Sequence, residues 1–253
     1  MIEVRPLANH SELREAVHLQ QQIWGFEDIE AIPLRFFVVA AKVGGQVFGA
    51  FDGNRMVGFC LAIPGLKPGS KIYLHSHMLG VLTEYRNAGV GRMLKLAQRE
   101  EALNRGIDLI EWTFDPLEIK NAFFNIQRLG AVARRYVPNQ YGTTSSHLHG
   151  GLPTDRCIAE WWLASPRVES TIAGQPFDSG PVLARISVPS DIAVFRFNSP
   201  ERARDIQKHL GEQFLSCFGR NLAVIGFDKS NTAGTYLLGA WECGRPLGAT
   251  PAE

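Results

Sequence analysis

The four cysteines of this chain, Cys60, Cys157, Cys217 and Cys243, form no C-x-x-C pair and lie far apart. That spacing excludes a zinc knuckle and a disulfide framework, and leaves reduced thiols in a cytoplasm as the expectation. Charge of one sign is also lacking: 26 Lys and Arg face 25 Asp and Glu, for a net charge of +1. No global field would then gather nucleic acid or an anionic membrane, so any anion site must be local. No run reaches the ~18 apolar residues of a membrane-spanning helix, and "MIEVRPLANHSEL" has no apolar secretory segment. These absences lead to the expectation of a soluble, cytoplasmic protein without nucleic-acid or membrane partners. What is present suits a globular fold: hydrophobic residues make up 45% of 253 positions, enough for one large core or two modest ones.

Periodicity gives the order of elements. "MIEVRPL" alternates like a strand, and "NHSELREAVHLQQQIWG" carries helical spacing with Ser11 as its expected N-cap. A second helix covers "PLRFFVVAAKVGG". Two apolar runs around "DGNR" then read as a hairpin, and "KIYLHSHMLGVL" as the next strand. A glycine turn, a helix from about Gly89 to Arg105, the strand "DLIEWTF", the helix "LEIKNAFFNIQRLG" and the extended "ARRYVPNQYG" follow. Strand, two helices, three strands, helix, strand, helix, strand is an α/β order whose hairpin-linked start predicts a mixed sheet. "SPRVESTIAGQPFDSGP" has little periodicity and reads as a connector, placing a boundary between residues 1–165 and 166–253. Beyond it "VLARISVP" and "IAVFRF", a long helix, "LAVIGFD" and "TYLLGAW" form a smaller β-α-β unit that leaves a homodimer open.

Chemistry concentrates in "VLTEYRNAGVGRMLKLA". A strand, a turn with Gly89 and Gly91, and a helix present unpaired backbone N–H groups at a positive helix end, a ready site for a phosphate; the same glycines also serve a plain bend. A dinucleotide motif needs a third glycine where Leu94 stands, and no G-K-[ST] follows, so neither a Rossmann turn nor a Walker loop is present.

What remains, R-x-x-G-x-G between a strand and an amphipathic helix, resembles the acyl-CoA-binding motif of the GNAT acyltransferase superfamily, and the element order over about residues 1–145 resembles that fold. The "HSHMLGV" strand and the "DPLE-x-x-NA" segment are similar to those of longer superfamily members described as acetyltransferases. The resemblance implies acetyl-CoA or another acyl-CoA as co-substrate, with its pyrophosphate on the backbone of Asn87, Ala88, Gly89, Val90, Gly91 and Arg92 and with Arg86 adding charge. It implies that Leu79, Gly80 and Val81 run beside the pantetheine arm, and that Asn121 and Asn125 lie near the thiol. The implied reaction is acetyl or succinyl transfer to a small amine or amino acid by direct attack. The rival is an acyl-CoA-binding regulatory or interaction module without chemistry.

Acyl transfer to an amine needs a base and an oxyanion donor. Alternation along "KIYLHSHMLGV" places Tyr73, His75, His77, Leu79 and Val81 on one face, so His75 and His77 are candidate bases, with Glu111 on the neighbouring strand a third. His75 stands eleven residues before Arg86, where some superfamily members carry a glutamate base. The tyrosine acid of many members falls at Ile126, leaving Tyr136 or Tyr141 as substitutes. Arg134, Arg135 and Tyr141 are expected to meet a carboxylate on the acceptor or acyl group. His147 and His149 have no carboxylate or cysteine at ligand spacing, so no metal is expected.

Overall fold

The computed structural model describes residues 1–25, 30–142 and 151–241. Its contacts divide the chain into two compact units, one built on residues 1–112 and the other on residues 113–142 and 152–241. Among the described residues no helix is long and apolar enough to cross a membrane.

The first unit opens with β1 (Ile2–Pro6), α1 (His10–Trp24) and α2 (Leu34–Lys42). Asn9, not Ser11, caps α1: its side chain accepts from the Glu12 N–H at 2.9 Å. Asn9 is the last residue before the helix with extended φ and ψ, which an N-cap requires and Ser11, already inside the helix, lacks. Then come β2 (Gln46–Asp52), β3 (Arg55–Lys67), β4 (Lys71–Val81), a 3-10 turn at Thr83–Tyr85, α3 (Val90–Asn104) and β5 (Leu109–Phe114). β1 to β4 pair antiparallel in chain order, and β5 joins β4 parallel, which is the mixed sheet predicted.

The sheet separates two helix layers. Phe59 of β3 packs its ring against Trp24 of α1 and Phe37 of α2, whereas its neighbour Cys60 feels the charge of Lys95 on α3. Phe37, Phe59, Leu19, Leu61, Leu74 and Leu94 are fully buried. Each contributes about 1.5–3 kcal/mol relative to exposure.

The alternation expected for β4 fails at one place. Ser76 pairs with Ala62 and Met78 with the adjacent Leu61, so His77 is an extra residue, a β-bulge. An inserted residue reverses the sides of everything after it. Ser76 therefore faces α3, while four residues on, a Cβ at Gly80 would collide with Trp24 and Ile23 of α1 at 2.7 and 2.8 Å. Leu79 pairs with Cys60 and so lies on the α3 face, opposite His75, instead of beside it.

The second unit contains α4 (Ile119–Phe123), which widens into a π turn over Phe124–Arg128, β6 (Val132–Val137), β7 (Arg156–Trp162), α5 (Pro166–Ala173), β8 (Ala184–Pro189), α6 (Ile192–Asn198), α7 (Pro200–Gly219), β9 (Leu222–Lys229) and β10 (Ala233–Ala240). Its strands run in the order β7-β6-β9-β10-β8. Phe214 of α7 stacks on Tyr136 and meets Tyr236 edge-on at 5.0 Å, and the Tyr236 hydroxyl donates to the Pro116 carbonyl at 2.7 Å.

Two segments differ from expectation. The connector contains a helix, α5, because Ser165 caps it through the Val168 N–H, Pro166 starts it and Gly174 ends it at φ +69°. "IAVFRF" is helical, not extended: Arg196 of α6 is 4% exposed and bridges Asp115 at 2.6 Å and Glu118 at 2.5 Å, so a tertiary ion pair overrides its β-branched and aromatic composition. The acids of "DPLE" thus clamp α6.

Candidate active site

The β4–β5 ladder consists of two register pairs, Leu74 with Ile110 and His75 with Glu111. β4 runs on to Val81 without β5 beside it, so from Ser76 onward one edge of β4 leaves its β5 ladder. At this fork stand His75 and His77, their ring centroids 6.1 Å apart. Burial pulls the His75 imidazole down to about 4, helped by the charges of His77 and Lys95; burial also lowers His77. Both rings are therefore neutral proton acceptors at neutral pH.

Glu111, 3% exposed, accepts from Lys67 Nζ at 2.6 Å, and the same ammonium lies 5.0 Å from the Tyr73 ring centre. The fork thus carries two neutral imidazoles and a carboxylate engaged by a lysine. The opposite face of β4 holds groups the pattern of the sequence did not single out. Lys95 is buried, donates to Ser76 Oγ at 2.7 Å and sits 3.8 Å over the Trp112 ring, while Ser76 donates to Gln98 Oε1 at 3.1 Å. The signal was present, since Lys95 and Gln98 fall on the same stripe of α3 as Leu94 and Ala102.

Beyond the open edge lies the glycine turn. Gly89 adopts φ +84° as N-cap of α3 and Asn87 φ +64°. No side chain caps α3 at Gly89, where the first-turn N–H groups of the helix point out of its N-terminal end. A Cβ at Gly89 would meet nothing within 4 Å. Its glycine is there for backbone angle and not for lack of room. The turn is tied down by Tyr85, which donates to Asp52 at 3.0 Å, by an Arg55–Glu84 pair at 2.7 Å, and by Arg86 Nε donating to the Val81 carbonyl at 3.3 Å. Gly89→Ala is expected to lower stability by about 1–2 kcal/mol, the left-handed penalty for a residue with a Cβ, measured by denaturant unfolding.

The remaining candidates belong to the second unit. Asn121 is exposed; Asn125 is buried in the π turn, its backbone carbonyl accepting from Ala131 N–H at 3.0 Å and its side-chain Nδ2 without a hydrogen-bond partner. Arg134 and Arg135 both reach the buried Glu160, at 2.6 and 3.5 Å, because a register shift between Ala133 and Arg135 lets two adjacent residues share one carboxylate. Tyr141 is exposed and bonds Thr113 Oγ1 at 2.8 Å. Ile126 is fully buried, and Tyr136 gives its hydroxyl to Asp155 at 2.5 Å, an arrangement that raises it far above the ordinary phenol range, burial first and Asp155 next. His147 and His149 lie outside the described residues. Among the described residues no group of three potential metal ligands occurs.

The geometry just described, an open strand edge feeding an uncapped helix, coincides with a family match. The acetyltransferase (GNAT) family model matches residues 11–130. Residues 11–130 thus resemble a GNAT acetyltransferase domain. The GNAT fold is also seen in solved structures. A GNAT-family protein from Desulfovibrio desulfuricans superposes with a TM-score of 0.52 at 16% identity, over 65% of this chain and 100% of that one. The ribosomal-protein-S18-alanine N-acetyltransferase of Escherichia coli gives 0.51 at 18%, over 65% and 96%. Arabidopsis thaliana NAA60, solved with a bisubstrate analogue, gives 0.52 at 17%, over 64% and 98%. No curated protein matches the chain. The strands from β6 onward lie outside the matched span.

Proposed function

We propose that this GNAT domain transfers an acyl group, acetyl or succinyl, from its CoA thioester to a small amine or amino acid held in the same complex. We assign the chemistry to residues 1–165, with 166–253 as an extension. The single observation that carries the reading is the stretch of β4 from Ser76 to Val81, unladdered on its β5 side and leading into the uncapped first turn of α3. Backbone groups of Leu79, Gly80 and Val81 would bond the amide-bearing arm of the substrate. The N–H groups from Asn87 to Arg92 would take its pyrophosphate, favoured by the helix dipole.

In this reading His75 removes the proton of the acceptor ammonium, and His77 is the adjacent reserve. Glu111 is less suited to the task because Lys67 already occupies its carboxylate. The amine nitrogen then attacks the thioester carbonyl, an N–H of the open β4 edge near Leu79 stabilises the oxyanion, and the C–S bond breaks as the nitrogen gives its second proton to solvent, leaving amide and thiolate. With Ile126 in the core and Tyr136 committed to Asp155, the thiolate leaves without a tyrosine acid and takes its proton from water. Asn121 and Asn125 would lie toward the thiol. Arg134, Arg135 and Tyr141 would serve a carboxylate only if that group competed with Glu160 and Thr113 for them.

Calorimetric titration with CoA checks the donor half. Wild type is expected to bind it, and a bulky Gly89→Val variant, strained at φ +84°, to bind at least tenfold more weakly. Equal affinity in the two proteins would remove the turn from the site.

A further inference from the structure

The second unit holds a cavity of about 420 Å³ between the end of α5, the segment after it and the β9–β10 pair. Arg167 lines it and is 4% exposed. The guanidinium donates from Nε to the Gly130 carbonyl at 3.0 Å, from Nη2 to the Ile126 carbonyl at 3.3 Å and from Nη1 to Ser179 Oγ at 2.6 Å. A guanidinium has five N–H groups. Three are used, so two remain, one on each terminal nitrogen. Among the described residues the partners of Arg167 are two carbonyls and a hydroxyl, none a carboxylate, and none of the residues lining the cavity is acidic. Asp178, in the same segment, is exposed and accepts from the Gly180 N–H at 2.8 Å.

A buried cation without a counter-ion is costly, and burial indeed lowers Arg167 to about 10. The carbonyls of Ile126 and Gly130 offset part of that cost through their dipoles, but they supply no charge. Phe177, Ile225 and Leu237 give the cavity an apolar wall.

We propose that this cavity binds a small organic carboxylate, its two oxygens on the remaining N–H groups of Arg167 and its apolar body against Phe177, Ile225 and Leu237. One buried guanidinium neutralises one negative charge in a planar fork. Arg128 also lines the cavity but is exposed and lies 5.4 Å from the Phe123 ring centre, while the C-terminal end of α5, at Gly174, is on the same wall and disfavours a second negative charge, which argues against phosphate.

The test is calorimetry and thermal melting of the full chain with isobutyrate and benzoate, and with isobutanol and inorganic phosphate as comparisons. Either carboxylate is expected to bind and raise the melting temperature, and isobutanol and phosphate at equal concentration are not. Arg167→Gln should weaken carboxylate binding at least tenfold. Because Arg167 also holds the end of the π turn, a second variant stands beside it: Val182→Trp fills the cavity from its exposed rim and leaves the bonds of Arg167 in place. It should produce the same loss. Binding unchanged by Val182→Trp, an equal response to isobutanol, phosphate binding in place of carboxylate, or no response to either carboxylate would each overturn the assignment.

Discussion

His75→Ala is expected to slow acyl transfer by about 10²–10⁴-fold in kcat, the range that a positioned base contributes, with KM for the acyl donor within about twofold of wild type. The split matters, because His75 touches the acceptor in the proposed reaction and is not part of the turn that holds the donor. Its imidazole, drawn down to about 4 by burial first and by His77 and Lys95 after it, stays unprotonated across the neutral range. Once the acceptor's own ionisation is allowed for, wild-type kcat/KM should therefore show no acid limb near 6.5, the ordinary histidine value. Its fall should come toward pH 4. A limb near 6.5 that persists in His75→Ala would transfer the role to another group. Stability follows the same linkage. Between about 4 and 6.5 the unfolded chain binds a proton that the folded chain refuses, so folding weakens as pH drops through that window and the variant loses this dependence.

Lys95→Met is expected to stabilise the first unit by about 1–3 kcal/mol at pH 7, against the usual direction of core substitutions. Burial brings the Lys95 ammonium from 10.5 to about 7, opposed slightly by Cys60. At about 1.4 kcal/mol per unit, forcing a charged lysine into that site costs several kcal/mol, and its bond to Ser76 and its contact with Trp112 return only part. The folded chain gives up its proton near 7 and the unfolded chain near 10.5, so wild-type stability should rise with pH between those values and be flat below them. In the variant that rise should vanish, and melting curves from pH 6 to 10 would show it. A Lys95→Met protein less stable than wild type at every pH would mean that the Ser76 bond and Trp112 contact outweigh the buried charge.

The order of strands and helices as far as "ARRYVPNQYG" was legible because each element carried its own period and its own punctuation: Gly53 at the hairpin, Gly89 at the turn, Gly106 after α3. The pairing of His75 with His77 was equally legible, since residues two apart in a strand share a side. What lay beyond periodicity was the bulge. Inserting His77 into β4 depends on the register of β3 at Leu61 and Ala62, across the turn between the two strands, and no local pattern reports it. For the same reason Leu79 and Val81 were placed on the wrong side. The helix α6 was hidden by long-range charge, since Arg196 finds Asp115 and Glu118 only in the folded chain. Arg134 and Arg135 looked available because Glu160, which engages both, stands on another strand.

The central claim is that this domain moves an acyl group from CoA to an amine, and the direct measurement is release of free CoA thiol. The protein is mixed with acetyl-CoA or succinyl-CoA and a panel of amino acids and amines. The account predicts that at least one acceptor accelerates release over the protein alone, and that His75→Ala abolishes the acceleration. If CoA raises the melting temperature while no acceptor in the panel changes the rate, the domain binds the donor without using it, and the claim is contradicted.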